Sequence, residues 1–537
     1  MKKSIRIILT GVLMVMLLVS CATTTSPITT PDVEHTITVM STNDHHGHPV
    51  AFYDYPAAGQ GGLPAQATLV KEVRAENDYV MVLSAGDFNT GRPESNFFKA
   101  EPDIIGMNYI RYDALGMGNH EFDPSAEDMQ KQIADSNFPW LCANVVDANG
   151  DYIENVEPYI IKDYKNFKVA ILGLMGTSTE DTGNPENIEG YVFRDEVEVA
   201  NELVPMLKEQ ADIVIALVHV GLYDSEDKGS KRIARDVPGL ALVVDGHTHT
   251  KVEEAVMVKN AQTGLDVPIV QAKHWGLYMT KSTISFMNGE VTGFDYELLP
   301  VNVKSRTKLD DGSSVYNFVG KGYEDDKELL KMLTPYVDKV DAVLNEVIGT
   351  ATAPFFNGDT RKMETAIGDM VADSMLWYAN SQNLNADFAF QNGGGIRTDI
   401  ADGDIQKRTI YEVLPFDNSV AISTLMGSDV IELFALTPAN VTHGAMPQVS
   451  KEVSFTIDVA NNMVEDLLIN GKPVDPNAEY RIATNSYLAA GGDGYKIFKN
   501  AIEYYDTSLM QRDAFIDYVI DMGGTITPMI DGRMMVK

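Results

Sequence analysis

The chain has 537 residues, which is too long for one hydrophobic core and predicts two or three domains. Its composition, 44% hydrophobic and 22% charged, is ordinary for a folded globular protein. The formal net charge of −35 argues against a broad basic face, so binding of DNA, RNA or anionic lipid surfaces is not expected.

The N-terminal segment has the layout of an export signal. Basic residues precede the apolar run 7–19, which is shorter than the roughly 20 residues that a membrane-spanning helix requires. This pattern predicts a signal peptide over residues 1–20. The run ends in Leu-Val-Ser-Cys, which resembles the bacterial lipobox and implies cleavage before Cys21 and lipidation of its thiol. Residues 21–34 would then be a flexible tether, and a plain signal peptide with a chance cysteine is the alternative.

From residue 35 to about residue 300, short apolar runs alternate with helical patterns such as Ser125–Ser136 and Glu196–Gln210, as in βαβ units. Polar residues follow five of the runs, Thr36–Met40, Val80–Leu83, Tyr112–Met117, Ile213–Val218 and Leu240–Val244. In chain order these polar residues are Asp44, His46, Asp87, Asn119, His120, Asp123, His219, His247 and His249. Because open α/β sheets have their sites at the carboxyl ends of the strands, we expect these side chains to share one site.

The middle of the chain predicts a linker between two compact halves. Residues 301–320 are polar and are expected to contain few strands. Apolar residues at spacings of three and four predict a helix over Glu324–Val347, in which Pro335 predicts either a kink or a break into two short helices. A new α/β region follows, with a helix at Thr365–Ala379 and a strand at Asp387–Gln391. The predicted divisions of the folded chain are 35–320, 321–348 and 349–537.

The donor types in the first half predict a metal centre. If the extended backbone persists beyond the first run, Asp44 and His46 point the same way and can bind one ion. The Asp87 carboxylate can bridge two ions, while Asn119 adds a neutral oxygen and the histidines add imidazole nitrogens. This mixed set suits Zn²⁺, Mn²⁺, Co²⁺ or Fe²⁺ better than Mg²⁺ or Ca²⁺ alone. Taken singly, each residue has a simpler explanation, as a packed core histidine or a helix-capping aspartate.

Five sequence blocks carry a resemblance to a known family. They are Asp44-His45-His46-Gly47, Gly86-Asp87, Gly118-Asn119-His120-Glu121-Phe122-Asp123, His219 and Gly246-His247-Thr248-His249. Their order and spacing resemble those of the calcineurin-like metallophosphoesterases, most closely the bacterial periplasmic 5′-nucleotidase/UDP-sugar hydrolases. The resemblance implies an α/β fold with an N-terminal four-layer metallophosphoesterase sandwich, a linker helix and a C-terminal α/β nucleotide-binding domain.

The resemblance also implies two divalent metal ions. At the matching positions, Asp44, His46, Asp87 and His249 would hold one ion, and Asp87, Asn119, His219 and His247 the other. Some close relatives have Gln at the position of His249. Two such ions lower the pKa of a shared water and clamp the phosphoryl oxygens for in-line attack. His120 would stabilise those oxygens or assist the leaving group, with Asp123 orienting its ring; a purely structural histidine is the alternative.

The second half supplies candidate substrate contacts. The block Gln391–Arg397 is rich in glycine, so its backbone amides can approach and bind an anion. The planar guanidinium of Arg397 can bind two phosphate oxygens at once, and Arg361 is a further candidate phosphate contact. Phe416 and Tyr487 lie on separate loops and are placed to sandwich a nucleobase. Both resemble the base-stacking pair of the same family, and the ligand-binding positions of its C-terminal domain correspond to Asn392, Gly394, Arg397 and Asp493. Surface salt bridges and core aromatic positions are the alternatives.

Together these features predict a secreted, lipid-anchored phosphohydrolase that removes phosphate from nucleoside 5′-monophosphates. The expected partners are the nucleotide and, through the lipid anchor, the bacterial cell envelope, in the periplasm or at the cell surface. The main alternative is the same scaffold acting on 2′,3′-cyclic nucleotides, or on pyrophosphates such as UDP-sugars or NAD. A catalytically silent surface binding protein or a purely structural lipoprotein would explain fewer of the motifs.

Overall fold

Strands form in the first half where aliphatic and β-branched residues run without interruption. In the computed structural model, which describes residues 33–54, 57–182, 185–309, 314–443 and 445–537, the strand Ile213–His219 is buried along its whole length. It pairs in parallel with Lys168–Met175 on one side and with Leu240–Val244 on the other. The continuous apolar run follows from this position, because a parallel strand is covered on both faces.

Two six-stranded sheets make up the centre of the first half. In spatial order the first consists of Glu290–Pro300, Tyr278–Met287, His35–Thr42, Val80–Ser84, Ala114–Gly116 and Trp140–Leu141. The second consists of Val256–Lys259, Asp266–Val270, Leu240–Val244, Ile213–His219, Lys168–Met175 and Tyr159–Asp163. In both sheets the strands that precede the predicted polar residues lie in the interior, so their carboxyl ends meet between the sheets.

The two sheets face each other and have helices on their outer sides. Alternate residues of both sheets, among them Ile37, Leu83 and Ile215, form the core between them. The outer faces pack under Leu63–Glu76, Glu101–Ile110 and Ala126–Asp135 on the first sheet, and under Glu196–Lys208 and Gly229–Asp236 on the second. This order of helix, sheet, sheet and helix confirms the predicted four-layer α/β sandwich.

Shorter elements complete the first half. They are the strands Phe52–Asp54, Ala57–Gln60, Val145–Asp147 and Tyr191–Phe193, the helices Pro93–Asn96, Thr179–Thr182 and Pro185–Ile188, and the 3₁₀ helix Asn119–Phe122. One expectation for this half is wrong, because residues 301–320 contain the antiparallel hairpin Lys304–Lys308 and Ser314–Phe318. Most side chains of the hairpin are exposed, so no alternation of apolar and polar residues indicated its strands.

A single helix, Lys327–Leu344, connects the two halves. Asp326 caps its first turn by accepting hydrogen bonds from two backbone amides. The predicted break at Pro335 does not occur, and the 18 residues form one helix. A proline removes one backbone hydrogen bond, and packing of Leu329 and Leu333 into the core of the first half compensates for this loss.

The second half is built around three smaller sheets. A five-stranded sheet has the order Pro447–Val449, Phe388–Asn392, Glu479–Asn485, Ser419–Met426 and Glu503–Met510. A four-stranded sheet contains Lys472–Pro473, Met463–Ile469, Val453–Asp458 and Met534–Val536, and a three-stranded sheet Gly403–Gln406, Val347–Ala351 and Thr525–Ile526. The helices are Ala366–Ser381, Lys407–Val413, Gly427–Ala435, Thr437–His443, Ser486–Ala489 and Gln511–Asp521. The predicted α/β character of this half is confirmed.

The N-terminal predictions fall on a part of the chain that the structure does not describe. The proposed signal peptide, Cys21 and all but the last two residues of the proposed tether lie outside the described residues. Within the described part, none of the helices combines the length and the apolar character needed to cross a membrane.

Candidate active site

The predicted metal-binding residues meet at the carboxyl ends of the central strands. Asp44 and His46 follow His35–Thr42, Asp87 follows Val80–Ser84, and His219 is the last residue of its strand. Backbone hydrogen bonds join two of these loops, because Asp44 N donates to Gly86 O at 2.9 Å and His46 N donates to Asp87 O at 3.0 Å. The sheet topology therefore brings together residues that are more than 200 positions apart in the sequence.

The ligand atoms form overlapping groups. Those of Asp44, His46 and His249 lie within 4.8 Å of one another, and so do those of Asp44, Asp87 and His219. His249 Nε2 is 3.2 Å from Asp44 Oδ1, and His46 Nε2 is 3.1 Å from His249 Nε2. The first group contains three of the four residues assigned to one ion by the resemblance. A third such group contains His46, Asp87 and His120. Asp44 and Asp87 therefore each belong to two groups, and either carboxylate is positioned to bridge two metal ions.

The remaining two predicted ligands lie beside these groups. His247 Nδ1 is 2.9 Å from Asn119 Oδ1, and the backbone amide of His247 donates to Asp44 Oδ2 at 3.0 Å. His120 was predicted not to be a ligand, yet its ring nitrogen lies within 4.8 Å of ligand atoms of His46 and Asp87. Geometry alone therefore does not separate His120 from the metal-binding residues, and metal content must do so.

The backbone reaches this arrangement in a way that the strand pattern did not predict. Asp44 and His46 are not extended; their φ angles are 50° and 46°, and those of Asp87, His247 and His249 are also positive. Non-glycine residues rarely adopt this left-handed region, and such residues cluster at functional sites. The expectation that alternation along a strand aligns Asp44 with His46 is thus wrong, although the two side chains do converge.

Gly86 lets the chain turn sharply after the strand Val80–Ser84. Its φ angle is 86°, and a side chain there would come within 2.6 Å of the Gly118 backbone nitrogen. Only glycine fits both the conformation and the close approach of the two chain segments. The turn directs Asp87 into the site directly after the strand.

The buried charges of the cluster suit a cation. Burial lowers the pKa of His219, but the carboxylates of Asp87 and Asp44 outweigh it and raise that pKa to about 10. His219 Nδ1 is 2.6 Å from the Ala85 carbonyl oxygen, a contact that requires a proton on Nδ1, and Nε2 faces Asp87 Oδ2 at 3.0 Å. The raised pKa puts a second proton on Nε2, and a metal ion bound there would take the place of that proton. Nε2 is buried and has no hydrogen-bond partner among the described residues. A metal ion is the group that satisfies this nitrogen and the carboxylates together, so the residues fit the expected cofactor.

Two buried acids hold the loops of the cluster and were given no role from the sequence. Glu121 accepts hydrogen bonds from the backbone amides of Asp87, Phe88 and Gly118, and burial followed by the Asp87 charge raises its pKa to about 7. Asp245 accepts hydrogen bonds from three backbone amides in the loops that carry His219 and His247. Glu121 lies within one of the sequence blocks and Asp245 directly precedes another, and each binds backbone amides both of its own segment and of a second loop.

A further histidine lies behind His249. His274 Nδ1 is 3.1 Å from His249 Nδ1, which leaves His249 Nε2 on the side of Asp44. A histidine that binds a metal through one nitrogen needs a partner for the other, and His274 occupies that position. Nothing in the sequence spacing linked the two residues.

His120 has the partner that the sequence predicted. Its Nδ1 is 2.6 Å from Asp123 Oδ2, and its backbone amide donates to Asp87 Oδ1 at 2.8 Å. Burial lowers the pKa of His120, but the carboxylates of Asp123 and Asp87 outweigh it, so the pKa lies above its ordinary value. The ring of His120 also stacks on Phe416 of the second half, with centroids 5.6 Å apart.

Arg397 joins the second half to the metal-binding residues. Its Nη2 is 3.2 Å from His46 Nε2, and its guanidinium lies 5.6 Å from the centre of the Phe416 ring. Burial, and then the nearby Arg361, lower the pKa of Arg397 to about 10. The Arg361 guanidinium lies close to Gly394, 3.4 to 3.5 Å from where a Cβ atom would stand. The structure thus brings both arginines and Gly394 to one place.

The other predicted substrate residues form a hydrogen-bonded group. Asn392 Nδ2 donates to Asp493 Oδ2 at 2.8 Å, and the Tyr487 hydroxyl donates to Asp493 Oδ1 at 2.9 Å. The ring of Tyr487 lies against Gly492, where any side chain would collide with it. Asp493 therefore positions both an amide and an aromatic ring, while the stacking of a base between Tyr487 and Phe416 stays a prediction.

Comparison with known proteins gives one consistent family. Residues 37–251 match the family model of the calcineurin-like phosphoesterases, and residues 347–500 match that of the 5′-nucleotidase C-terminal domain. The chain is 35% identical over 533 residues to Silent protein UshA(0) of Salmonella typhimurium, covering 94% of each. It is 34% identical over 531 residues to a Vibrio cholerae 5′-nucleotidase, covering 94% of this chain and 93% of the relative. A crystal structure of a 5′-nucleotidase precursor from Thermus thermophilus matches with a TM-score of 0.82 at 26% identity, covering 94% of this chain and 99% of that one.

Proposed function

The chain belongs to the 5′-nucleotidase family of calcineurin-like phosphoesterases and is a hydrolase of that type; from this premise we propose that it removes the phosphate group of nucleoside 5′-monophosphates. One observation carries the proposal. Arg397 Nη2 of the second half lies 3.2 Å from His46 Nε2 of the buried cluster. A guanidinium group that can bind phosphate therefore lies directly beside the candidate metal ligands. An arginine fork grips two oxygens of a phosphate at once.

We assign the metal ions to the predicted residues. One ion would be held by Asp44, His46, Asp87 and His249, and the other by Asp87, Asn119, His219 and His247. Two divalent ions held there would activate a water molecule and neutralise charge on the phosphoryl oxygens. The mixture of carboxylate, amide and imidazole donors favours Zn²⁺, Mn²⁺, Co²⁺ or Fe²⁺.

We assign the remaining roles, in substrate binding and proton transfer, to protein side chains. Arg397 and Arg361 bind the phosphoryl oxygens, and Asn392 and Asp493 contact the nucleoside. Phe416 and Tyr487 stack on the base. His120, kept protonated by Asp123, stabilises the phosphoryl oxygens or donates its proton to the O5′ atom as the bond from phosphorus to O5′ breaks. The products are the nucleoside and inorganic phosphate.

Substrate profiling tests this choice of nucleotide. The rates on AMP, 2′,3′-cyclic AMP, UDP-glucose and NAD should be measured at equal enzyme concentration, and we expect the highest kcat/KM on AMP. A higher value on the cyclic nucleotide or on a pyrophosphate would move the assignment to that substrate. One matched relative is named a silent protein, so a binding protein without catalysis is the second candidate. The seven candidate ligands and His120 argue against it, and metal-loaded protein that hydrolyses none of the four substrates would support it.

We further propose that the mature chain is exported and anchored by a lipid on Cys21. The support is the basic and apolar N-terminal segment followed by the lipobox-like sequence. Labelled palmitate should be incorporated into the wild-type protein and should be absent from Cys21→Ser. Incorporation that survives the substitution would contradict the anchor.

A further inference from the structure

A second group of acidic side chains lies in the other half of the molecule. Oxygen atoms of Glu364, Asp369 and Asp531 lie within 4.8 Å of one another. Glu364 precedes the helix Ala366–Ser381, and Asp369 lies in the first turn of that helix. Asp531 belongs to the segment that leads into the last strand, Met534–Val536. The group therefore joins the start of a helix to the C-terminal end of the chain.

Asp369 is the least satisfied member of this group. Its side chain is 4% exposed, and neither carboxylate oxygen has a hydrogen-bond partner among the described residues. Glu364 differs, since its two oxygens accept hydrogen bonds from the backbone amides of Gly532 and Met534, each at 2.9 Å. A buried carboxylate requires a partner, and the oxygens of Asp369 face two other acids.

Among the described residues, one arginine contacts the group, and it does not balance the charge of the carboxylates. The guanidinium of Arg533 binds Asp531 through Nε and Nη2 at 2.8 and 2.7 Å, and Asp373 through Nη1 at 2.9 Å. Its Nη1 also donates to the Val449 carbonyl oxygen at 3.0 Å. Arg533 Nε is 3.5 Å from Asp369 Oδ1 without forming a hydrogen bond. One positive charge thus faces four carboxylates, counting Glu364.

We propose that Glu364, Asp369 and Asp531 bind a Ca²⁺ ion in the second half of the protein. The three residues supply only oxygen donors, which hard cations prefer, whereas the cluster in the first half is rich in imidazole. The ion supplies the positive charge that Asp369 lacks. The ion would connect the helix Ala366–Ser381 to the C-terminal segment. Its ligand Glu364 is three residues along the chain from Arg361, a proposed phosphate contact.

Thermal unfolding with and without Ca²⁺ tests the proposal. The full mature chain is first treated with a chelator and dialysed, and its Tm is then followed as Ca²⁺ is added up to about 1 mM, the weak end of protein calcium sites. We expect a saturable rise in Tm for the wild type and for Asp87→Asn, which disrupts the first-half cluster. The rise should be absent from Asp369→Asn. Without Ca²⁺, Asp369→Asn should unfold at or above the wild-type Tm, because the substitution removes an unbalanced buried charge.

Three results would overturn the assignment. They are the absence of any Ca²⁺ effect on the wild type, a Ca²⁺ effect that survives Asp369→Asn, and a Ca²⁺ effect that disappears in Asp87→Asn. The first would mean that Asp369 is held protonated by its acidic neighbours, and the last would place the ion in the first-half cluster. Calorimetric titration of Asp531→Asn with Ca²⁺ gives a second measurement if Asp369→Asn does not fold. We expect its affinity to fall by about tenfold or more, and an unchanged affinity would contradict the site.

Discussion

At the level of single residues, His120 is the side chain whose surroundings are best suited to moving a proton. Asp123 binds its Nδ1 at 2.6 Å, and with Asp87 it raises the pKa of the imidazole against the effect of burial. A histidine held in this way is protonated more readily than a free imidazole and is oriented by a fixed partner. Its position beside the cluster, next to Phe416, is where a phosphate ester must lie if the proposed function is right.

His120→Asn tests whether this residue acts in catalysis or binds metal. Asparagine cannot donate the imidazolium proton, so we expect kcat on AMP to fall by about 10²- to 10⁴-fold. Metal content per chain, measured by elemental analysis, should stay at the wild-type value. Asp123→Asn is the matched control and should retain metal with a smaller loss of kcat. Parallel losses of metal and activity in His120→Asn would make His120 a ligand.

The sequence predicted these residues because the metal-binding side chains directly follow strands, and strand ends can be read from apolar runs. Glu121, Asp245 and His274 were not assigned roles, because each also contacts a second loop that only the fold brings near it. The conformation of Asp44 and His46 was predicted incorrectly, since a strand pattern holds no information about a left-handed turn that follows it.

At the level of elements, the helix Lys327–Leu344 keeps its continuity in spite of Pro335. The proline is exposed, and the helix is held by Leu329 and Leu333 in the core of the first half. The break was predicted from the local cost of proline, and tertiary packing outweighs that cost. The paired strands Lys304–Lys308 and Ser314–Phe318 are the converse case, because their backbones pair although no apolar pattern in the sequence indicates strands.

Pro335→Ala should stabilise the protein. Alanine restores a backbone hydrogen-bond donor in the helix interior, which stabilises the folded state. It also increases the conformational entropy of the unfolded chain, which opposes part of this effect, so we expect the free energy of unfolding to rise by about 1–2 kcal/mol. Urea unfolding followed by circular dichroism measures the change. A loss of stability would show that the proline sets a helix shape on which the packing depends.

Asp103, on the helix Glu101–Ile110, gives a prediction about pH. Burial, with a contribution from the Glu94 charge, raises its pKa from the ordinary value of 3.8 to about 8. The folded protein therefore binds this proton more tightly than the unfolded chain does. The resulting stabilisation is complete below pH 3.8 and is lost as the pH rises through about 8.

Asp103→Asn should remove this dependence. Between about pH 4 and pH 8, the free energy of unfolding of the wild type should fall relative to that of the variant by up to about 1.4 kcal/mol per pH unit. Denaturant unfolding of both proteins at several pH values gives the comparison. A difference that stays constant over this range would mean that Asp103 is ionised in the folded protein.

At the level of the whole molecule, ion pairs connect the two halves and the helix between them. Arg92 of the first half binds Glu412 of the second at 2.9 Å. Arg408 of the second half binds both Glu94 of the first half and Asp341 of the connecting helix. The side chain of Glu94 is only 3% exposed, so its contacts are shielded from solvent. These pairs hold the proposed substrate contacts of the second half over the candidate metal ligands of the first.

Arg408→Ala should loosen this contact. The substitution leaves Glu94 paired only with Arg92 of its own half, so the contact across the halves is lost and we expect them to separate more readily. Small-angle scattering should give a larger radius of gyration, and KM for AMP should rise severalfold. Hydrolysis of a small aryl phosphate, which depends chiefly on the first half, should change less. Lys407→Ala is the matched control, because Lys407 pairs with Glu346 at an exposed position. Unchanged scattering and KM in Arg408→Ala would contradict this role.

The central claim is that a metal centre in the first half hydrolyses nucleoside 5′-monophosphates. Its most direct test is phosphate release from AMP by the chain lacking residues 1–21, after chelation and again after addition of Mn²⁺, Co²⁺ or Zn²⁺. We predict that chelation abolishes the release and that at least one of these ions restores it. Phosphate release that is indifferent to chelation, or metal-loaded protein that releases none, would contradict the account.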